Sequence, residues 1–356
     1  MNNGSNSFVV GPDDPILITG AGGFIGSKVV EGLLDRGFRN LVCFARPSGK
    51  TARIEALLHR RPQGAQVKIV KGNLLSRQDC EAASKDVALV YHLAAGIGEK
   101  SYPDAFMNSV VTTRNLLDAC RQLRHLRRFT LVSSFTVYSN RNKGNGRLLD
   151  ESCPLEDRPD LRGEAYCFGK LKQEEIIVEY GKNFGIPYTI LRPGSVYGAE
   201  KPAITGRVGI DTFGVFLHMG GSNTIPFTYV DNCAEAIILA GLVKGVDGEI
   251  FNIVDDDLPS SRRFLRLYKT NVKRFRSIYV PHAVSHMLCS VWEKYSDWSQ
   301  GQLPRAFNLR RWHNDWKKTR YSNQKLKSKL GWKQKVPTSE ALRRYFQGSR
   351  ESEQHA

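Results

Sequence analysis

The chain lacks several things that would each point elsewhere. No apolar run approaches the 18–20 residues a membrane-spanning helix needs, so no membrane span is expected. Residues 1–7, Met-Asn-Asn-Gly-Ser-Asn-Ser, hold neither a basic start nor an apolar stretch. They read as a loose lead-in rather than a secretory signal. The seven cysteines (43, 80, 120, 153, 167, 233 and 289) are odd in number and no two have Cys-x-x-Cys spacing. Neither a disulfide framework nor a zinc site is expected, and a reducing cytoplasm is the simplest location. No internal repeat and no low-complexity tract is present.

Acidic residues are scarce in one region only. Residues 1–259 hold 30 Lys/Arg and 29 Asp/Glu, a net of +1, whereas residues 260–356 hold 22 and 6, a net of +16. The formal charge of +17 therefore sits in the last quarter, where it would attract anionic substrates, lipid or nucleic acid.

Short apolar runs alternate with helical patterns over residues 15–135. Strands are predicted at 16–18, 41–44, 67–70, 88–91 and 129–132, with helices at 24–36 and 105–123. Such alternation means crossover connections and a parallel sheet covered on both faces. Residues 139–163, rich in Asn, Gly, Arg, Asp and Pro, read as a long surface loop with Pro154 and Pro159 opposing a helix. A helix is predicted over 164–182 and a strand at 188–191. Strand–helix steps follow at 226–230 and 232–242, with a last sheet strand at 249–254. The expected fold class is α/β, a doubly wound parallel sheet with a smaller C-terminal substrate-binding domain. Residues 14–200 would form the cofactor-binding domain, completed by about 225–255. Residues 201–224 and 256–345 would form the substrate lobe, and 1–13 and 346–356 flexible ends.

Within this pattern, Gly20, Gly23 and Gly26 follow the first strand and open the first helix. The turn needs positive φ, a pyrophosphate must approach bare backbone, and the last glycine lets the helix pack on the sheet. The N–H groups of that helix, including the turn through Phe24 and Ile25, then face the phosphates. The end of the second strand selects the cofactor. An acid there would grip the adenosine ribose, but the chain has Ala45, Arg46, Pro47, Ser48 and later Lys50. Arg46 could take a 2′-phosphate in a bidentate contact, which favours NADP(H) over NAD(H).

About 145 residues downstream of Gly20, Tyr166 and Lys170 stand one helical turn apart and share a face. An unperturbed tyrosine, with a pKa of about 10, is a poor base at neutral pH. A neighbouring ammonium and a positive nicotinamide ring favour the phenolate, which can trade a proton with a substrate hydroxyl while hydride moves. Ser133 and Ser134 end the fifth strand, at the sheet edge where ligands bind. Either hydroxyl could hold the substrate oxygen beside Tyr166.

Together these residues resemble the extended short-chain dehydrogenase/reductase family, the NAD-dependent epimerase/dehydratase family. The resemblance spans about residues 14–255. It extends to His92-Leu93-Ala94-Ala95-Gly96, to Leu191–Gly198 and to Phe227–Asn232 with Ala234-Glu235-Ala236. It implies a Rossmann domain, selects Ser134 over Ser133 as the catalytic serine, and places Asn73, Leu74, Ala94, Ala95, Pro193 and Ser195 along the cofactor. It also suggests a homodimer through the helices near 105–123 and 164–182.

The chain departs from the family pattern at four places. Asn73 replaces the usual aspartate, and Ser109 stands for an asparagine that supports the site. Ser134-Phe135-Thr136 lacks the two carboxylates of dehydrating members, which argues against a 4,6-dehydratase. No arginine precedes the late strand at Ser222–Phe227, which moves the expected substrate away from sugar nucleotides. The expected activity is NAD(P)-dependent hydride transfer at a secondary alcohol or ketone, with Tyr166 as acid/base. A nucleotide-sugar epimerase that recycles its cofactor is the alternative, and a non-catalytic dinucleotide-binding scaffold is the alternative of another class.

In the basic quarter, Trp312, Trp316 and Trp332 are interspersed with Arg305, Arg310, Arg311, Lys317, Lys318, Arg320, Lys325, Lys327, Lys329, Lys333 and Lys335. The plain reading is a solvated surface over buried indoles. A diphosphate clamp comes next, then a peripheral membrane contact, and nucleic acid is disfavoured. Ala283, Val284, Met287, Leu288, Val291, Trp292 and Tyr295 repeat at helical spacing and read as domain packing rather than a membrane-surface helix. Asp255-Asp256-Asp257 reads as a strand-end acidic loop with no metal.

Overall fold

The computed structural model describes residues 8–49, 51–60, 66–96, 101–141, 144, 146–212, 214–300, 302 and 307–354. Lys50 and Arg305 lie outside the described residues.

Seven strands form one parallel sheet: β1 (Ile16–Thr19), β2 (Asn40–Ala45), β3 (Gln66–Lys71), β4 (Leu89–His92), β5 (Arg128–Val132), β6 (Tyr188–Pro193) and β7 (Ile250–Ile253). Their order is β7-β6-β5-β4-β1-β2-β3. The chain leaves β1 toward β2 and β3 on one side and returns to β4 on the other. The crevice at that reversal, at the carboxyl ends of β1 and β4, is where open α/β sheets bind ligands. Every residue of β1, β4 and β5 is buried, which explains why these strands are mainly apolar rather than alternating.

The main helices are α1 (Gly26–Asp35), α2 (Thr112–Cys120), α3 (Ala165–Phe184), α4 (Val230–Leu242), α5 (Ser261–Asn271), α6 (His282–Trp298) and α7 (Thr338–Gln354). Successive side chains of β1 serve opposite faces. Ile16 and Ile18 join α1 and α4 in one core, and Leu17 joins α2 and α3 in the other. A third core, built around Tyr197, Phe227, Phe264, Tyr268, Tyr345 and Phe346, binds α5 and α7 to the late strand–helix step.

Several expectations are corrected. The helix near 105–123 is a turn (Tyr102–Ala105), a π-helix (Phe106–Val111) and then α2. The described residues of 139–163 are not a free surface loop, since Asn140, Leu149, Cys153, Glu156 and Arg162 are buried. Leu148–Leu149 pairs with Arg320–Tyr321, and Arg310 bridges Glu156 and Asp157, so C-terminal residues cover the segment. Pro159 starts a one-turn helix, where its missing N–H costs nothing.

Neither described end is loose. Val9 N donates to Leu242 O at 2.8 Å and Val10 is buried. α7 runs to Gln354 because Ala341, Leu342, Tyr345, Phe346 and Ser349 form one buried stripe.

The basic quarter is in large part a clasp. Lys325 and Lys335 pair with Glu249 and Glu235 of the preceding domain, and Lys327 with Asp256 just after its last strand. Trp312, Trp316 and Trp332 are buried, each donating its indole N–H, to Ser285 Oγ, Gly206 O and Asn232 O, so none is available for stacking on a nucleic-acid base. Asp255 is buried and accepts from Tyr229 N and Asn232 Nδ2, fixing the start of α4.

The apolar stripe on α6 is not domain packing. Val284, Met287, Leu288, Val291 and Tyr295 are exposed, and the buried face carries Ser285, Cys289 and Ser296. Among the described residues no helix is long and apolar enough to cross a membrane.

Candidate active site

A cleft of about 610 Å³ opens at the carboxyl ends of β1, β4, β5 and β6. Its floor is the glycine turn. Gly20 has a φ of +71°, and a Cβ at Gly26 would stand 2.1 Å from Gly20 O, so the turn closes only with hydrogen there. Ser27 N donates to Gly23 O and Val29 N to Ile25 O as the helix begins. Gly20, Gly23, Phe24, Ile25 and Gly26 all line the cleft. This bare-backbone cradle at a helix N-terminus fits a dinucleotide's pyrophosphate.

Ser134, Tyr166 and Lys170 line the same cleft. Ser134 follows β5, and its Oγ accepts from Thr136 N at 3.2 Å, capping a short turn that fixes its position. Lys170 is buried on α3 and donates through Nζ to Val132 O at 2.7 Å, locking the helix to the strand end. Its Nζ lies 5.9 Å from the Tyr166 ring centroid. Gly169 permits the close approach of α3 to the π-helix, since a Cβ there would meet Ser109 at 3.3 Å. Ser109, in the family's asparagine position, is buried and accepts from Gly96 N through Oγ.

Behind the cleft runs a hydrogen-bond chain. Thr113 Oγ1 donates to Ser109 O, so it accepts from Gln173 Nε2 and from His92 Nε2 at 2.9 Å. His92 Nδ1 therefore accepts from Thr19 Oγ1 at 2.8 Å, and that oxygen accepts from Ala94 N. Burial, with Lys170 as a lesser cause, pushes the His92 imidazole down to about 3. The folded protein thus keeps His92 neutral where the unfolded chain protonates it. Stability is full above about pH 6.5 and is lost as pH falls toward 3. Between pH 7 and 5, urea unfolding should show a loss about 2 kcal/mol larger for the wild type than for His92→Leu. Equal losses would assign the slope to other groups.

The remaining expected residues divide. Ala95, Pro193 and Ser195 line the cleft. Ala94 lies under the glycine turn, its N 3.1 Å from where a Gly20 Cβ would stand. Arg46, Asn73 and Leu74 are not among the lining residues. Arg46 is exposed just beyond β2. Asn73 Oδ1 accepts from Leu75 N, and Leu74 is buried. Arg192, beside Pro193, points away from the cleft into a buried pair with Glu174 and a hydrogen bond to Tyr138.

Sequence reasoning missed Lys201, Ile204 and Tyr345, which also line the cleft, as does Ser133, the serine passed over for Ser134. Tyr345 comes from α7 and donates to Pro202 O at 2.9 Å, and no local pattern signals a contact across 143 residues. Ser133 Oγ and Tyr197 OH are buried without a hydrogen-bond partner among the described residues. Among the described residues no arginine lines the cleft.

The comparisons with known proteins agree with this architecture. The chain is 28% identical over 253 residues to a UDP-N-acetyl-alpha-D-glucosaminuronate decarboxylase of Bacillus cytotoxicus, covering 68% of this chain and 75% of that one. It is 26% identical over 215 residues to cinnamoyl-CoA reductase 1 of Petunia hybrida, covering 58% and 61%. The solved UDP-glucuronic acid 4-epimerase from Bacillus cereus, in complex with UDP-glucuronic acid and NAD, superposes with a TM-score of 0.72 at 23% identity, covering 95% of this chain and 99% of that one. That neighbour carries NAD, so the expected preference for NADP(H) draws no support from it. The family model described as NAD dependent epimerase/dehydratase family matches residues 16–254. The chain belongs to the NAD dependent epimerase/dehydratase family.

Proposed function

We propose that the protein oxidises or reduces a secondary alcohol or ketone, with Tyr166 as the proton-transferring group. The observation that carries this reading is a single cleft lined by the glycine turn, Ser134, Tyr166 and Lys170. A bound nicotinamide dinucleotide supplies the hydride acceptor or donor. Its diphosphate would rest on the N–H groups that follow Gly20. Lys170, held by Val132 O, presents positive charge to Tyr166 and favours the phenolate. Tyr166 takes the proton from a substrate hydroxyl or returns it to a carbonyl oxygen, and Ser134 holds that oxygen by a hydrogen bond. Phe24, Tyr197, Ile204 and Tyr345 keep water from the reacting carbon.

A sugar-nucleotide epimerase is the second reading, favoured by the relatives and by Lys201 as a cation in the cleft wall. Dinucleotide stoichiometry separates the two. A reductase or dehydrogenase converts one dinucleotide per product, and an epimerase interconverts two sugar nucleotides with its dinucleotide unchanged. A chain that binds dinucleotide yet turns over neither class would be a scaffold.

The finer choice of cofactor rests on Ala45 and the exposed Arg46, where a ribose-binding carboxylate would repel a 2′-phosphate. Arg46→Ala should weaken NADPH about tenfold, the worth of a charge-assisted hydrogen bond, and move NADH less than about twofold. Equal effects on both would remove the phosphate reading and leave NAD as the cofactor. Exposed Phe106 and Met107 on the π-helix, with Val178 and Phe184 on α3, support a homodimer through these helices. Seven free, buried cysteines support a reducing cytoplasm.

A further inference from the structure

α6 is amphipathic with its polarity reversed. Its inward face is Ser285, Cys289 and Ser296. Its outward face is Val284, Met287, Leu288, Val291, Tyr295 and Trp298, between 40% and 76% exposed. These positions follow helical spacing over about 21 Å of helix. The strand just before it, Ser277–Tyr279, is the edge of a three-stranded sheet and exposes Ile278 and Tyr279. An exposed apolar face of this extent marks a place that something else covers.

Charge indicates what covers it. Arg262 holds its guanidinium 5.3 Å over the Tyr279 ring. Arg266, Arg274 and Arg276 are exposed on the segments leading to the strand, and Lys294 stands three positions after Val291 and four before Trp298. None of these five has a carboxylate within ion-pair distance among the described residues, unlike the lysines that clasp the preceding domain. On α6 itself, Asp297 is an exposed acid, and Glu293 accepts from Leu309 N. A two-fold contact with a second copy would set this cationic rim against itself. An anionic surface neutralises it. Tyr295 and Trp298, stacked at 5.6 Å, are the amphipathic rings that settle at headgroup level.

We propose that the outer face of α6, with the strand Ser277–Tyr279, docks on a lipid bilayer bearing anionic headgroups, the stripe entering the interface and the arginines and Lys294 meeting phosphates. The contact lies in the surface plane and crosses nothing.

Flotation of the full chain with vesicles tests this. Phosphatidylcholine vesicles containing phosphatidylglycerol should carry at least about ten times more protein than phosphatidylcholine alone. Leu288→Glu/Val291→Glu and, separately, Arg274→Glu/Arg276→Glu should each lower that binding about tenfold, with dinucleotide affinity and the circular dichroism spectrum unchanged. Absence of flotation, equal flotation on neutral vesicles, or unaltered binding by either variant would overturn the proposal. So would a dimer, seen by sedimentation velocity without vesicles, that Leu288→Glu/Val291→Glu converts to monomer, because the stripe would then join two copies.

Discussion

Tyr166→Phe should lower turnover by about a thousandfold while dinucleotide affinity stays within about threefold of wild type. The substitution removes one oxygen and leaves the ring in place. Lys170 keeps its bond to Val132 O, so the anchoring of α3 to β5 survives. What disappears is the one titratable hydroxyl in the cleft that stands beside a buried ammonium. Lys170→Met should behave differently, losing turnover and dinucleotide affinity together, because that side chain both favours the phenolate and would hold the nicotinamide ribose. Steady-state kinetics with a dinucleotide titration distinguishes the two patterns. Undiminished turnover in Tyr166→Phe would move the proton transfer to another group.

Gly26→Ala should weaken dinucleotide binding about a hundredfold, equivalent to about 2.7 kcal/mol. The added methyl would stand 2.1 Å from Gly20 O, 2.8 Å from Gly20 C and 2.9 Å from Ala21 Cα. All three are backbone atoms or lie on the backbone, so no side chain can move aside, and the turn itself must shift. That shift displaces the N–H groups on which the phosphates would rest. Thermal unfolding separates lost binding from lost folding. The variant should melt cooperatively without cofactor, and the rise in Tm that dinucleotide gives the wild type should vanish. A wild-type rise would show that phosphates do not sit on this turn.

The sheet was legible in the sequence because its strands are short, apolar on both faces and separated by helical periods. The runs at 16–18, 41–44 and 67–70 fall inside β1, β2 and β3. The glycine turn was legible for the same local reason. The failures share a physical cause, in that they depend on partners distant in the chain. Polar composition over residues 139–163 suggested water, yet Glu156 is buried under Arg310, 154 residues later. The stripe on α6 has the spacing of a core helix, and periodicity reports that one face is apolar without saying which way it turns. Here two serines and one cysteine face inward instead. Tyr345 reached the cleft through the aromatic core around Phe264, which no motif encodes. The family resemblance identified Ser134 over Ser133. The structure adds that Ser133 Oγ is the hydroxyl without a partner, and Ser134 Oγ caps the next turn.

A crystal structure of the chain with its dinucleotide tests the central claim most directly. The expected complex has the diphosphate on the N–H groups following Gly20 and the nicotinamide ring beside Pro193. The Lys170 ammonium meets the nicotinamide ribose, and the Tyr166 hydroxyl and Ser134 Oγ face one point above the ring. A dinucleotide bound outside this cleft, or a ring turned away from Tyr166 with no space for a carbonyl between it and Ser134, would contradict the assignment.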